Sequence, residues 1–175
     1  MSRWLCIATA LALAGAAHAD DVTIDGLKSK TPDSWKKAET TSNMQHAAFD
    51  LPKADGDKDA TKLVVYFFGP GGGGGIDANL TRWKGQFKNP EEKNVKKEEM
   101  KVKDVKATYY DITGTYLEKN PPFAPNAKIT EKPDYRALNV IFESPKGPYF
   151  FRVIGPAKSV EKNKKEFDEW LKNFK

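Results

Sequence analysis

Residues 63–87 read LVVYFFGPGGGGGIDANLTRWKGQF. Leu63 to Phe68 are apolar at successive positions, which predicts an interior strand covered on both faces. Gly69-Pro70 ends that run, and the five glycines from Gly71 to Gly75 form a loop. From Ile76 to Phe87 the period changes. At about 100° per residue, Ile76, Leu80, Trp83 and Phe87 fall along one narrow stripe, the pattern of an amphipathic helix. Strand, loop and helix in 25 residues already require helices and sheet to share one core.

Working outward, Gln45 to Leu51 alternates, with Ala47, Phe49 and Leu51 on one side and His46 and Asp50 on the other, predicting a half-buried strand. Val22 to Lys28 is expected to be a short first strand or edge, and Thr31-Pro32-Asp33-Ser34-Trp35 a turn that delivers an aromatic residue to the core. On the other side, Lys88 to Lys103 is dense in charge and reads as an exposed connection, helical at most in part. Val105 to Tyr116 returns to strand character. Glu118 to Arg136 contains Pro121, Pro122, Pro125 and Pro133, lacks periodicity and is expected to be a long loop. Phe123 within it is a candidate anchor for a partner, or a peg that pins the loop to the core. Ala137 to Phe142 and Tyr149 to Ile154 read as strands joined by a hairpin at Glu-Ser-Pro-Lys-Gly-Pro. Val160, Phe167, Trp170, Leu171 and Phe174 then mark an amphipathic C-terminal helix. The fold class expected is α+β, an antiparallel β-sheet flanked by helices.

The chain has 175 residues, 39% hydrophobic and 30% charged, with formal charge +5. Met1 to Ala19 reads as a secretory signal. Arg3 gives the positive start, Trp4 to Ala17 the apolar run, and Ala17-His18-Ala19 the small-x-small cleavage pattern. That run is shorter than the ~20 residues needed to span a bilayer. The expectation is therefore a signal peptide, 1–19, and a single globular domain, 20–175, periplasmic or secreted after cleavage near Ala19, soluble and without stable membrane insertion. Cys6, the only cysteine, leaves with the leader, so disulfides, a thiol nucleophile and thiolate metal ligation are not expected. His18 leaves too. His46 is then the only histidine, which does not suffice for a zinc site of nitrogen and sulfur ligands. No metal and no cofactor is expected.

Losing Arg3 takes the charge from +5 to +4. The basic residues are mostly Lys, alternating with acids as in Glu91-Glu92-Lys93, and the arginines left are Arg82, Arg136 and Arg152. That is a solvated, mixed-sign surface rather than a nucleic-acid reader, which favours Arg forks and interleaved aromatics. Asp55-Gly-Asp57-Lys-Asp59 has the alternating carboxylates of a calcium loop, but Ala60 and Tyr66 stand where such a loop needs Gly and a bidentate Glu, so a hairpin tip is expected.

Strand, glycine loop and helix N-terminus can together cradle phosphate. Here the Lys-Ser/Thr pair of a P-loop is missing and Asp77 opposes an incoming anion, which argues against a nucleotide site. The candidate ligand-binding residues are Gly71, Gly72 and Gly73 with Asn79, Arg82 and Gln86, which line one border of the helix stripe. Either these three polar side chains tie down neighbouring loops, the role that buried polar groups favour, or they line a pocket beside the glycine loop. Three functions compete: a non-catalytic binding or accessory module for an unknown small molecule or envelope protein; a carboxylate-dependent secreted hydrolase; and a basic binder of anionic envelope polymers.

The segments Tyr66-Phe-Phe-Gly, the glycine loop, Asn79-x-x-Arg82-Trp83-x-x-Gln86-Phe87 and Gly147-Pro-Tyr-Phe-Phe-Arg152-x-x-Gly155-Pro156 resemble those of a family of secreted bacterial proteins of uncharacterised function. In outline the order of elements is similar to the PsbP-like α/β/α sandwich known from extrinsic proteins of photosystem II. The resemblance implies that fold and, because PsbP-like proteins act mainly as accessory or binding subunits, a non-catalytic role; it does not imply attachment to a photosystem.

Overall fold

The computed structural model describes residues 20–121, 124 and 126–175. The leader 1–19 and Phe123 lie outside the described residues. In chain order the elements are β1 (Asp21–Ile24), β2 (Leu27–Lys30), β3 (Lys36–Lys37), β4 (Gln45–Leu51), β5 (Thr61–Phe67), α1 (Ile76–Lys84), a single 3-10 turn at Glu92–Asn94, β6 (Val95–Val102), β7 (Val105–Asn120), β8 (Lys128–Ser144), β9 (Gly147–Pro156) and α2 (Ala157–Lys172). β1 and β2 form a separate ribbon, and the other seven strands form one sheet in the order β3-β4-β5-β9-β8-β7-β6. Every pairing is antiparallel.

β5 and β9 sit inside the sheet, each closely packed on one face, while the other face of β5 is partly covered, with Val64 and Tyr66 half-buried and Lys62 exposed. Leu63 and Val65 of β5 and Phe151 and Val153 of β9 face one side, where they join Val160, Phe167, Trp170, Leu171 and Phe174 of the α2 region. Trp35, delivered by the turn before β3, meets Trp170 there edge-on at 5.3 Å between ring centroids. The β1–β2 ribbon closes the same side. Its Lys28 exchanges backbone hydrogen bonds with Lys175, and Ser29 donates to the Trp170 carbonyl. Each large side chain buried here contributes roughly 1.5–3 kcal/mol.

The opposite side holds a smaller core. Leu80, Trp83 and Phe87 pack on Tyr110, Ile112, Tyr135, Ala137, Ile141 and Phe150. Those sheet residues come from β7, β8 and β9. None of the fully buried members of this cluster comes from β4 or β5, so α1 covers one part of the face and leaves the β4–β5 part less covered. The result is a sandwich, with α2 and the ribbon on one face and α1 on the other.

Two sequence expectations are corrected. Lys88 to Lys103 is not an unstructured connection, since most of it is the edge strand β6, in register with β7 from Val95↔Ile112 to Val102↔Val105. Its backbone pairs while its side chains stay mostly exposed, so the charge density concealed it. Nor is Glu118 to Arg136 a long loop. β7 continues to Asn120 and β8 begins at Lys128, pairing Asn120↔Lys128 through Tyr116↔Lys132. The register shifts between Gly114 and Tyr116, opposite Pro133 and Asp134, and Asp134 takes φ +55°. A bulge is where a strand tolerates a residue with no N–H to donate.

Candidate functional site

The interior strand β5 ends against Phe68, and the glycine loop that follows folds back on the aromatic side chains it has just passed. At Gly73 (φ +81°) an added Cβ would lie 2.4 Å from the Phe150 ring, so the loop lies flat on that ring only because no side chain intervenes. The helix has no side-chain cap at Gly75. Instead Asn79, buried in its first turns, turns its amide back and donates Nδ2–H to the carbonyls of Gly73 (2.8 Å), Gly74 (3.3 Å) and Gly75 (2.9 Å). The Gly72 N–H is taken up by the Gly69 carbonyl at 3.1 Å. Three carbonyls gathered on one amide are the reverse of a phosphate cradle, which requires free N–H groups turned inward.

The free end of Asn79 carries the arrangement further. Its Oδ1 accepts from the Arg82 guanidinium. α1 stops at Lys84, and Gln86 follows in the turn before Phe87 bridges to Tyr116. From that turn Gln86 accepts from Arg152 of β9 at 2.6 Å. The Arg152 guanidinium also lies over the Tyr116 ring, 5.7 Å from its centroid. Partial desolvation of its guanidinium, and then the like charge of Arg152, hold the otherwise exposed Arg82 below the ordinary arginine value, which places the two cations within each other's field. Among the described residues neither pairs with an acid, and the arginine found in ion pairs is Arg136, with Asp111 and Glu161 on the α2 side. Tyr66 of β5 lies diagonal to Arg152 across the register, and its ring stacks at 6.1 Å and 9° on Phe68, which follows β5 and is 37% exposed.

The six candidate positions thus separate by task. Gly71, Gly72 and Gly73 shape the loop, Asn79 ties that loop to α1, Arg82 bonds Asn79, and Gln86 reaches Arg152 of β9. Sequence reading did not single out Arg152 or Tyr66 as site residues. The signal for Arg152 is present in Tyr149-Phe-Phe-Arg152-Val-Ile: one arginine inside an otherwise apolar strand, on the same face as Phe150 and Ile154. Its Nε and the Oδ1 of Asn139, its register partner on β8, are both buried without a hydrogen-bond partner among the described residues. Such atoms call for a bridging water or a ligand.

Elsewhere, the aspartates of the β4–β5 link have structural work. Asp57 accepts from the backbone N–H and hydroxyl of Ser159 at the start of α2. Asp59 accepts from Tyr135 (2.6 Å) and Lys132 (3.0 Å). Those two donors, Tyr135 first, hold the Asp59 carboxyl below the usual carboxylate range, and burial pushes the Tyr135 phenol up. A cleft of about 600 Å3 opens there, lined by Asp59, Lys132, Asp134, Tyr135 and Lys158 among others. His46 places Nε2 2.6 Å from the Thr23 carbonyl and its ring edge-on to Tyr149, which joins the ribbon to β4. Among the described residues no group of three or more His, Cys, Asp and Glu side chains is gathered as a metal site would need, and no helix is long and apolar enough to cross a membrane.

No family model matches the sequence, and no curated protein matches it. Among solved structures, the chain is similar to cyanobacterial PsbP from Synechocystis, with a TM-score of 0.50 and 10% identity, over 95% of this chain and 97% of that one. It is also similar to a Pseudomonas aeruginosa protein of unknown function, with a TM-score of 0.48 and 10% identity, over 89% of this chain and 94% of that one. The fold is PsbP-like and α+β. At this identity the likeness speaks for architecture alone.

Proposed function

We propose that this chain is an exported, non-catalytic binding or accessory module, and that its binding surface is the less covered part of the α1 face, between the glycine loop and β9. The observation that carries this reading is the pair of guanidiniums, Arg82 and Arg152, both on that face and, among the described residues, without an acid, with Tyr66 diagonal to Arg152 across the β5–β9 register and stacked on Phe68. Like charges on one face disfavour each other unless neutralised, and unneutralised charge near exposed aromatic surface suits recognition. The carboxylate hydrolase has less support. A general acid needs a carboxyl held above its ordinary range, whereas Asp25 and Asp59 are both held below it by their lysine and tyrosine donors. Export rests on the Met1 to Ala19 leader.

The test has three parts. Mass spectrometry of the protein from its native envelope is expected to find an N-terminus at Asp20. A panel of glycosides and esters is expected to show no turnover. Native mass spectrometry is expected to find a small molecule retained by the wild type and lost by Arg82→Ala at unchanged thermal midpoint. Turnover with a bell-shaped pH profile, or retention untouched by Arg82→Ala, would overturn the reading.

A further inference from the structure

We propose that Arg82 and Arg152 together bind the carboxylate of an organic acid whose apolar or aromatic body lies against Tyr66 and Phe68. This rests on the reading of the α1 face as the binding surface and names what it takes.

Each guanidinium carries five N–H donors in a planar fork, a match for a planar carboxylate. Arg82 gives one nitrogen to Asn79 Oδ1 and Arg152 gives one to Gln86 Oε1. Both acceptors are neutral amides, which orient the forks and leave their charge uncancelled. Both arginines are also held in place, Arg82 through Asn79 and the glycine loop, Arg152 through Gln86 and the Tyr116 ring. Held cations lose little freedom on binding, which is the usual condition for selective recognition by a small site. Arg82 is exposed and Arg152 half-buried, so an anion can enter from solvent and meet a partly desolvated cation beneath. Coulomb attraction weakens as the surroundings become bulk water, so an anion at the half-buried Arg152 is held more strongly than one at a fully exposed cation. The body of the ligand is set by Phe68, among the few exposed large apolar residues, stacked on Tyr66 and edge-on to Phe150 at 5.5 Å. A bare inorganic anion would leave that surface unused.

The experiment is a titration of the isotopically labelled full chain, followed by NMR at the arginine Nε–H and aromatic ring signals, with sodium benzoate as probe. Benzyl alcohol supplies the body without the charge, and inorganic phosphate the charge without the body. Benzoate is expected to give saturable shifts at Arg82, Arg152 and Tyr66, with benzyl alcohol and phosphate each at least tenfold weaker. Arg82→Gln and Arg152→Lys are each expected to weaken benzoate at least tenfold. Arg82 is exposed, so Arg82→Gln keeps the test decisive even if Arg152→Lys fails to fold. Benzyl alcohol binding as tightly as benzoate would overturn the carboxylate assignment, and phosphate binding as tightly would overturn the role of Tyr66 and Phe68. If no probe binds while the wild type, unlike Arg82→Ala, still retains a co-purifying small molecule, the carboxylate inference falls and the binding face stands. If that retention also survives Arg82→Ala, both fall.

Discussion

A single methyl group measures how closely the glycine loop is fitted. Gly73→Ala would set a Cβ 2.4 Å from the Phe150 ring at a φ of +81°, so both packing and backbone resist it. Overpacking costs about 1–3 kcal/mol and a left-handed non-glycine residue about 1 more. Urea denaturation is expected to show Gly73→Ala less stable by about 2–4 kcal/mol, with Gly26→Ala, whose added Cβ meets nothing, well below it. Equal losses at the two positions would show that the loop does not rest on Phe150. A second residue ties stability to pH. Asp59 is held below its ordinary pKa by Tyr135 and Lys132, so it contributes stability that is fully present above the unfolded carboxylate value of about 3.9. That contribution is lost as pH falls through the lower folded value. Asp59→Asn is therefore expected to be less stable than wild type at pH 7, with the gap closing in acid as the wild-type carboxyl protonates. A gap that stays constant from pH 7 to 2 would mean that the charge of Asp59 is not what Tyr135 and Lys132 hold.

At the scale of elements, α2 begins without a cap of its own, because Pro156 at its N-cap offers no side-chain acceptor. Asp57, reaching in from the β4–β5 link, takes the Ser159 N–H and hydroxyl instead. Asp57→Ala is expected to cost about 0.5–2 kcal/mol, the range of a lost cap, read as a shift in the denaturation midpoint at unchanged slope. Asp55→Ala, with no such bond, is expected to change little. The same link shows what was legible beforehand. Asp55-Gly-Asp57-Lys-Asp59 looked like a solvated tip because the helix it caps lies some 100 residues further along the chain. Ala137 to Phe142 of β8 and Tyr149 to Ile154 of β9 were readable because each run is mostly apolar and a turn signal separates them. β6 was not, since only Val95, Met100 and Val102 break its charge and its place is set by backbone pairing with β7. The arms of the β7–β8 hairpin were hidden by their prolines, one of which sits in a bulge. For the site, Asn79, Arg82 and Gln86 were legible from helical spacing. Arg152 was not, because its relation to Gln86 exists only once β9 lies under α1.

Across the whole molecule, one sheet separates two unequal cores. Among the described residues the α2 side holds 21 buried hydrophobic residues and the α1 side nine. Regions with few buried contacts open locally at a free energy below that of global unfolding. α1 is nine residues long, has no side-chain cap and is fastened chiefly by Leu80, Trp83 and the amide of Asn79. Native-state hydrogen exchange is therefore expected to find the slowest amides in β8, β9 and α2, with α1 and the glycine loop opening together at lower free energy. Asn79 couples loop and helix, so Asn79→Ala is expected to speed exchange in both while leaving α2 unchanged. This bears on recognition, because Arg82 rides on α1 whereas Arg152 is built into β9. A ligand held by both would fasten the labile element to the stable one, and α1 amides should slow on binding by the same factor that binding favours the closed form. If α1 already exchanges as slowly as β9 without ligand, the two cores unfold as one unit and the α1 face is rigid beforehand.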